Sequence, residues 1–318
     1  KLFVLPDLAR PSVLAVERAL VLLQRRLGSR VLVGQEETEL YRTDDSRWIG
    51  PPPDAVVLAE STDDLRVALE IARETGVFIT PRAGGSGRTG GAVPVAGGIV
   101  LSSARLNRIK DIDVREGVAV VEPGVILDDL QAQVEREGWF YPPDPNSSAV
   151  CCLAGNVAEN AAGPRAFKYG STRDYVLGIE TFLATGESFF AGRRTKKGVT
   201  GYDLVGTLVG SEGTLAAFGD VTLRLIPRPE SVLTLLALFT DVASAGVAVE
   251  KIVAARLLPR CLEFLDEKTL EVMRLHGSAF RADAGALLLI EVDGSESECE
   301  RLATLVGEAC DAAGALEV

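Results

Sequence analysis

The stretch Pro81-Arg82-Ala83-Gly84-Gly85-Ser86-Gly87-Arg88-Thr89-Gly90-Gly91 decides how the rest of this 318-residue chain is interpreted. Its five glycines and two hydroxyl side chains make a poor helix and a poor strand. They do allow backbone N–H groups to converge on a phosphate without obstruction by Cβ atoms. The stretch therefore predicts a loop that holds a pyrophosphate, and a glycine-rich surface turn without a ligand is the alternative.

The spacing Gly85-x-Gly87-x-x-Gly90 matches the dinucleotide-binding fingerprint, and the apolar Val77-Phe78-Ile79 before it predicts the preceding strand. A Rossmann fold also needs a helix that starts within the motif. The residues that follow, 90–98, are too rich in Gly and Pro for that helix. The sequence therefore favours a phosphate-binding loop between strands over a Rossmann nicotinamide site.

Two further blocks follow in order. The first runs from Tyr141-Pro-Pro-Asp-Pro-Asn-Ser147 into Ala154-Gly-Asn-Val-Ala-Glu-Asn-Ala-Ala-Gly163, and the second from Gly201-Tyr-Asp-Leu204 into Gly210-Ser-Glu-Gly-Thr214. Together with the glycine loop they resemble the PCMH-type FAD-binding domain of the FAD-linked oxidases, in the vanillyl-alcohol oxidase superfamily. The branch they resemble holds glycolate oxidase FAD subunits and D-lactate or other D-2-hydroxyacid dehydrogenases.

The resemblance implies three groups of FAD-binding residues. The residues implied to wrap the pyrophosphate are Arg82, Ala83, Gly84, Gly85, Ser86, Gly87, Thr89, Gly90 and Gly91. Those implied to follow the ribityl chain and the ring are Pro143, Asp144, Ser147, Gly155, Asn156, Ala158, Asn160 and Gly163. Those implied to complete the adenine and flavin walls are Ile179, Gly213 and Ile226.

The residues 156–160 support this assignment on their own, because short side chains let a flat ring pack closely while Asn amides supply donors and acceptors. Asn and Gly could instead simply form turns. Ala83 and Ala162 stand where many relatives have Gly, and each adds only a methyl group. Covalently flavinylated members carry a His in the first glycine loop, and the matching position here is Ser86. We therefore expect non-covalent FAD.

Composition narrows the function classes. The formal charge of −12 argues against nucleic acid and anionic membrane surfaces as partners. No apolar run is long enough for a membrane span. Five cysteines without a Cys-x-x-Cys pair suit a reducing compartment, so we expect a cytoplasmic protein without disulfides. A single histidine, His276, cannot alone build a His-based metal site or a Ser-His-Asp triad, and no metal site is predicted.

The predicted fold class is α+β. A two-subdomain FAD-binding domain is predicted over residues 1–228, and a ferredoxin-like substrate or cap domain over 229–318, with Pro227-Arg228-Pro229 at the boundary. The main predicted strands cover residues 55–58, 77–80, 98–102, 117–121, 176–184, 215–226, 232–239, 261–265 and 286–292. The predicted helices cover 12–27, 62–74, 126–137, 242–254, 267–275 and 295–313. A strand expected after the last helix would begin where the sequence stops, so the cap domain is predicted to be incomplete.

The resemblance implies oxidation of a small 2-hydroxy acid, of the glycolate or D-lactate type, by hydride transfer to FAD. An electron acceptor is implied as partner: a quinone, a cytochrome or an iron–sulfur protein. The family's substrate-binding histidines and arginine are absent from these residues, so the catalytic residues are unknown. Lys197, in the basic cluster of Arg193, Arg194, Lys196 and Lys197, either faces the flavin or an anionic substrate or lies on a solvated loop. The alternatives are an electron-transfer subunit without catalysis and a flavoenzyme similar to alkyl-dihydroxyacetone-phosphate synthase.

We predict that the protein is yellow and that acid precipitation releases its flavin, because Ser86 cannot form the histidyl link. The measurement is the flavin absorbance of supernatant and pellet after acid treatment. Flavin that stays with the pellet would contradict non-covalent binding.

Overall fold

The computed structural model describes residues 3–4 and 9–318, which form two compact units. The first unit contains the residues up to Tyr141 together with Asn146–Ala161 and Thr172–Pro227. The second contains Pro142–Pro145, Ala162–Ser171 and Arg228–Val318. The second unit therefore includes two short segments from the middle of the chain. The domain boundary at residue 228 stays a prediction.

The described chain contains both strands and helices. The strands are β1 Phe3–Val4, β2 Val31–Leu32, β3 Trp48–Ile49, β4 Ala55–Leu58, β5 Ile79–Arg82, β6 Ile99–Ser102, β7 Ile109–Asp113, β8 Val118–Val121, β9 Trp139–Phe140, β10 Val176–Phe182, β11 Ser188–Gly192, β12 Ala217–Arg224, β13 Ile226–Pro227, β14 Ser231–Phe239, β15 Cys261–Asp266 and β16 Ala286–Gly294. The helices are α1 Val13–Leu27, α2 Gln35–Thr38, α3 Thr62–Thr75, α4 Leu127–Arg136, α5 Leu153–Glu159, α6 Ala166–Tyr169, α7 Leu204–Leu208, α8 Val242–Ala254, α9 Glu267–Leu275 and α10 Glu296–Asp311.

A four-stranded sheet of order β2-β4-β6-β5 carries the glycine loop. Strand β6 is parallel to both β4 and β5, and α3 connects β4 to β5. The strand predicted at 77–80 begins two residues later. Gly76 takes a left-handed conformation at the end of α3, and Val77 still donates to the carbonyl of Ala72 in the last helical turn. The segment between β5 and β6 contains no helix, as the sequence predicts.

Helix α3 begins at a complete capping box. Its N-cap is Ser61, and the Ser61 and Asp64 side chains each accept a hydrogen bond from the other's backbone N–H. Arg30 donates to both oxygens of the buried Asp64 carboxyl, at 2.7 and 2.9 Å. This pair holds the end of α1 against the start of α3.

The second sheet of the first unit is antiparallel, with order β11-β10-β12-β8-β7. Strands β10 and β12 have mostly buried residues, and the sequence predicts both with an error of about two residues at their ends. Strands β7 and β11 were not predicted. They lie at the two ends of the sheet. Strand β7 mixes apolar and charged residues without a buried position, and the two phenylalanines of β11 are exposed, so neither resembles a buried strand.

The second unit has a three-stranded antiparallel sheet of order β14-β16-β15. Side chains from one face of this sheet, including Phe239, Leu288 and Ile290, form a core with α8 and α10. Leu316 and Glu317 form backbone hydrogen bonds with Leu238 of β14, at 2.7 and 2.9 Å. All six elements predicted for this part of the chain are present. The predicted incompleteness of this domain stays a prediction.

Across the part of the chain that the structure describes, no helix combines the length and the hydrophobicity that a membrane crossing requires.

We predict that Asp64→Ala lowers the free energy of unfolding by about 3 kcal/mol, because it leaves Arg30 without its partner and removes half of the capping box. Urea unfolding followed by circular dichroism measures the change. Asp63→Ala is the matched control, since Asp63 is exposed and pairs with Arg66 on the helix surface, and it should cost less than about 1 kcal/mol. Equal losses in the two variants would contradict the structural role of Asp64.

Candidate flavin-binding site

The glycine loop offers a continuous run of free backbone donors. In the described part of the chain, no backbone N–H of residues 84–92 donates a hydrogen bond to a protein group. Gly85 and Gly90 both have positive φ, at 69° and 88°, which turns successive N–H groups in directions that residues with side chains rarely allow. Such a run suits a negatively charged ligand that accepts several hydrogen bonds at once.

The Arg82 side chain connects the start of the glycine loop to its end. Its guanidinium donates to the carbonyl oxygens of Thr43 at 2.7 Å and of Ala92 at 3.3 Å, and it lies 5.6 Å from the centre of the Tyr41 ring. Burial lowers the pKa of Arg82, and the nearby Asp44 carboxylate opposes that shift. A Cβ on Gly85 would stand 2.1 Å from Nη2 of Arg82. Arg82 therefore contributes to the loop's shape and to its intolerance of side chains.

Helix α5 brings the second block against the glycine loop. A Cβ on Gly84 would lie 2.8 Å from the carbonyl oxygen of Val150, and a Cβ on Gly155 would lie 3.4 Å from Cβ of Ala83. Asn156 is buried in this helix beside the Cys151 thiol, and within the described residues its side-chain Nδ2 has no hydrogen-bond acceptor at bonding distance. A buried amide donor of this kind is costly unless an acceptor binds to it.

Residues 210–213 of the third block contact α5 and the start of the glycine loop. The backbone N–H groups of Gly210 and Glu212 donate to the carbonyls of Val157 and Ala158, at 3.0 and 2.9 Å. A Cβ on Gly213 would lie 3.3 Å from Pro81, at the start of the glycine loop. The structure thus brings the glycine loop, α5 and residues 210–213 together within the first unit.

Asn160 ends α5 in a left-handed conformation with φ of 50°. Its Oδ1 accepts a hydrogen bond from the backbone N–H of Arg173 at 2.9 Å, and the Arg173 guanidinium donates to the carbonyl of Val209 at 2.6 Å. The Asn160 side chain therefore fixes the backbone around the site. Its predicted contact with FAD stays a prediction.

Two carboxyl groups that are not among the predicted site residues face the glycine loop. Glu159 Oε1 accepts a hydrogen bond from Thr89 Oγ1 at 2.9 Å and would lie 3.0 Å from a Cβ on Gly87. Glu212 Oε2 would lie 3.5 Å from a Cβ on Gly91. Both could have been noticed in the sequence, because Glu159 is the one charged residue of 154–163 and Glu212 is the one charged residue of 210–214.

The other predicted residues are distributed over both units. In the first unit, the Ser147 carbonyl caps the turn before α5, Ile179 is fully buried in β10, and Ile226 pairs with Phe140. The predicted residues that belong to the second unit are Pro143, Asp144 and Gly163.

Asp144 and Gly163 contact one another within the second unit. A Cβ on Gly163 would lie 2.1 Å from the Asp144 carbonyl oxygen, so this close approach requires glycine. Burial raises the pKa of Asp144, while Arg165, which donates its backbone N–H to Oδ1 at 3.1 Å, opposes the shift. The role of these residues toward FAD stays a prediction, as does that of Lys197, whose side chain is exposed.

The residues present fit FAD. The free N–H groups of residues 84–92 can hold a pyrophosphate, and the Asn156 amide supplies a buried donor beside them. The fold and the site define a flavin-binding chain rather than a nicotinamide-binding Rossmann protein. The family model described as "FAD binding domain" matches residues 53–191, and the one described as "FAD linked oxidases, C-terminal domain" matches residues 228–318. The chain belongs to the family of FAD-linked oxidases.

Curated relatives agree with this assignment. Glycolate oxidase subunit GlcD of Bacillus subtilis is 42% identical over 280 residues, which are 88% of this chain and 60% of the relative. D-lactate dehydrogenase of Anaerostipes hadrus is 35% identical over 298 residues, which are 91% of this chain and 62% of the relative. This chain therefore spans about three fifths of the length of these relatives.

Solved structures share the fold. Alkyldihydroxyacetonephosphate synthase matches with a TM-score of 0.80 and 21% identity, over 98% of this chain and 61% of that one. p-Cresol methylhydroxylase with bound substrate matches with a TM-score of 0.79 and 18% identity, over 98% of this chain and 66% of that one. The predicted α+β fold class of the PCMH type, the family and FAD as the cofactor are confirmed.

We predict that Gly85→Ala gives folded protein with at least about tenfold weaker FAD binding, because its Cβ would overlap the Arg82 guanidinium and its positive φ disfavours a side chain. FAD fluorescence quenching on titration with apoprotein measures the dissociation constant. The control is Gly246→Ala, since a Cβ on Gly246 in α8 meets no atom within 4 Å. Unchanged FAD affinity in Gly85→Ala would make the loop an ordinary turn.

Proposed function

We propose that the protein oxidises a small 2-hydroxy acid, of the glycolate or D-lactate type, by hydride transfer to non-covalently bound FAD. The observation that carries the proposal is the run of unpartnered N–H groups at residues 84–92 beside the buried Asn156 amide. The names of the relatives that match at 42% and 35% identity support the substrate class.

The residues of the first unit bind and orient the cofactor in this proposal. The glycine loop donates N–H groups to the pyrophosphate, and Arg82 keeps the two ends of the loop together through the Ala92 carbonyl. The Asn156 amide donates to an acceptor atom of the flavin ring or of the ribityl chain. When bound, FAD supplies the hydride acceptor for the oxidation. Residues 1–228 then act as the FAD-binding domain, and residues 229–318 as part of the substrate domain.

The group that takes the hydroxyl proton is not assigned to a residue. His276 lies at the end of α9, where its Nδ1 is 2.9 Å from the Val272 carbonyl oxygen and its side chain is exposed. Nothing in its surroundings marks it as a general base. The proposal includes an electron acceptor that reoxidises the flavin, which is a quinone, a cytochrome or an iron–sulfur protein. It also includes a cytoplasmic location.

The relatives favour an oxidase over the two alternatives. Similarity to alkyldihydroxyacetonephosphate synthase is at the level of the fold, with 21% identity. A subunit that only transfers electrons would have no use for a C-terminal unit with its own core around α8 and α10. Neither alternative has an observation of its own in its favour.

We predict that the full-length FAD-loaded protein bleaches near about 450 nm, the band of oxidised flavin, when D-lactate or glycolate is added without oxygen. L-lactate is the control and should leave the band unchanged, because the opposite configuration directs its hydrogen away from the flavin. A protein that holds FAD but is bleached by none of a series of small 2-hydroxy acids would contradict the proposed substrate class.

A further inference from the structure

The two carboxyl groups beside the glycine loop have no cationic partner. Within residues 9–318, neither Glu159 nor Glu212 forms an ion pair. The Glu159 side chain is held by the Thr89 hydroxyl and directed toward Gly87, so it shares the surface on which the loop would bind a phosphate. An ionised Glu159 would therefore repel the ligand that the proposed function assigns to this loop.

The charged groups around Glu159 do not relieve this conflict. From the neighbouring loops, Glu212 and Asp44 add further negative charge. The two arginines of the glycine loop have other partners: Arg82 donates to carbonyl oxygens, and Arg88 pairs with Asp45 at 2.9 Å. The Arg173 guanidinium binds the carbonyls of Gly206 and Val209.

The Glu159 carboxyl is already disposed to hold a proton. Burial raises its pKa, Glu212 and Asp44 raise it further, and the hydrogen bond from Thr89 opposes the shift. Because Thr89 donates to Oε1, the second oxygen is available to carry the proton and to donate it to an acceptor. A phosphate oxygen in the loop is such an acceptor.

We propose that Glu159 binds FAD in its neutral, protonated form, so that FAD binding takes up one proton from solvent. The proton adds to the Glu159 carboxylate, and the resulting O–H donates to the cofactor. Glu159 is thereby a ligand-binding residue of the phosphate loop. This inference rests on the proposed flavin site.

The sign of the pH dependence follows from linkage. The complex holds one more proton than the free protein wherever free Glu159 is ionised, so the FAD dissociation constant rises with pH. The rise approaches about tenfold per pH unit, which is the value for one proton. The pyrophosphate of FAD stays ionised over this range, so the free ligand does not contribute.

The test is calorimetric titration of the apoprotein with FAD from about pH 5.5 to about pH 8.5, a range that extends well above the ordinary pKa of a glutamate carboxyl. Repeating it in two buffers with different ionisation enthalpies counts the protons taken up. The wild-type protein should take up about one proton at the alkaline end. Glu159→Gln keeps an acceptor for Thr89 and an N–H donor for the ligand, so it should bind FAD with no proton uptake and a flat pH profile.

Glu212→Gln is the matched control, because it removes a nearby negative charge but leaves Glu159 able to titrate. It should keep a rising dissociation constant. The inference is overturned if wild-type protein binds FAD without taking up a proton, or if Glu159→Gln keeps the wild-type slope. Failure to bind FAD at every pH would instead contradict the proposed function. The wild-type proton count decides the matter even if a variant does not fold.

Discussion

Backbone N–H groups need hydrogen-bond acceptors. In the described chain, no backbone N–H of residues 84–92 donates to a protein acceptor. The surrounding elements hold this stretch in a conformation that leaves its N–H groups available to a ligand. Parallel strands β5 and β6 fix its ends, Arg82 ties one end to the other, and helix α5 supports it from the side. Glycines at 84 and 85 permit these close approaches, because any Cβ there would overlap a neighbour. An external acceptor of several hydrogen bonds is the simplest partner for such a loop.

At the glycine loop, ligand binding is coupled to the charge of the neighbouring carboxyl groups. A loop made for an anion lies beside Glu159 and Glu212, and the arginines that could balance them bind carbonyls or other carboxylates. A carboxylic acid can stay in such a site if it is neutral. The cofactor and the proton are then bound together, and the fold provides for both with the same short helix, α5. The second unit carries its own polar pair, Asp144 and Arg165.

Much of the fold could be predicted from the sequence because its core elements carry strong local signals. Strand β4 is a short apolar run that is buried throughout, and α3 begins and ends at recognisable caps. Strands β7 and β11 have no such signal, since charged or exposed residues occupy sheet ends. Helix α5 was missed because the Asn and Gly in its sequence are typical of turns, and packing against the glycine loop overrides that preference. Three ordered blocks identified the site, but only the structure shows that Glu159 and Glu212 face the loop.

The measurement that tests the flavin site most directly is amide hydrogen–deuterium exchange with and without FAD. If the loop donates its N–H groups to the pyrophosphate, exchange at residues 84–92 slows strongly when FAD binds, and helix α5 is protected with it. Amides of α8, far along the chain in the C-terminal unit, serve as the internal reference. FAD that binds tightly while residues 84–92 exchange at the same rate as in the free protein would contradict the account.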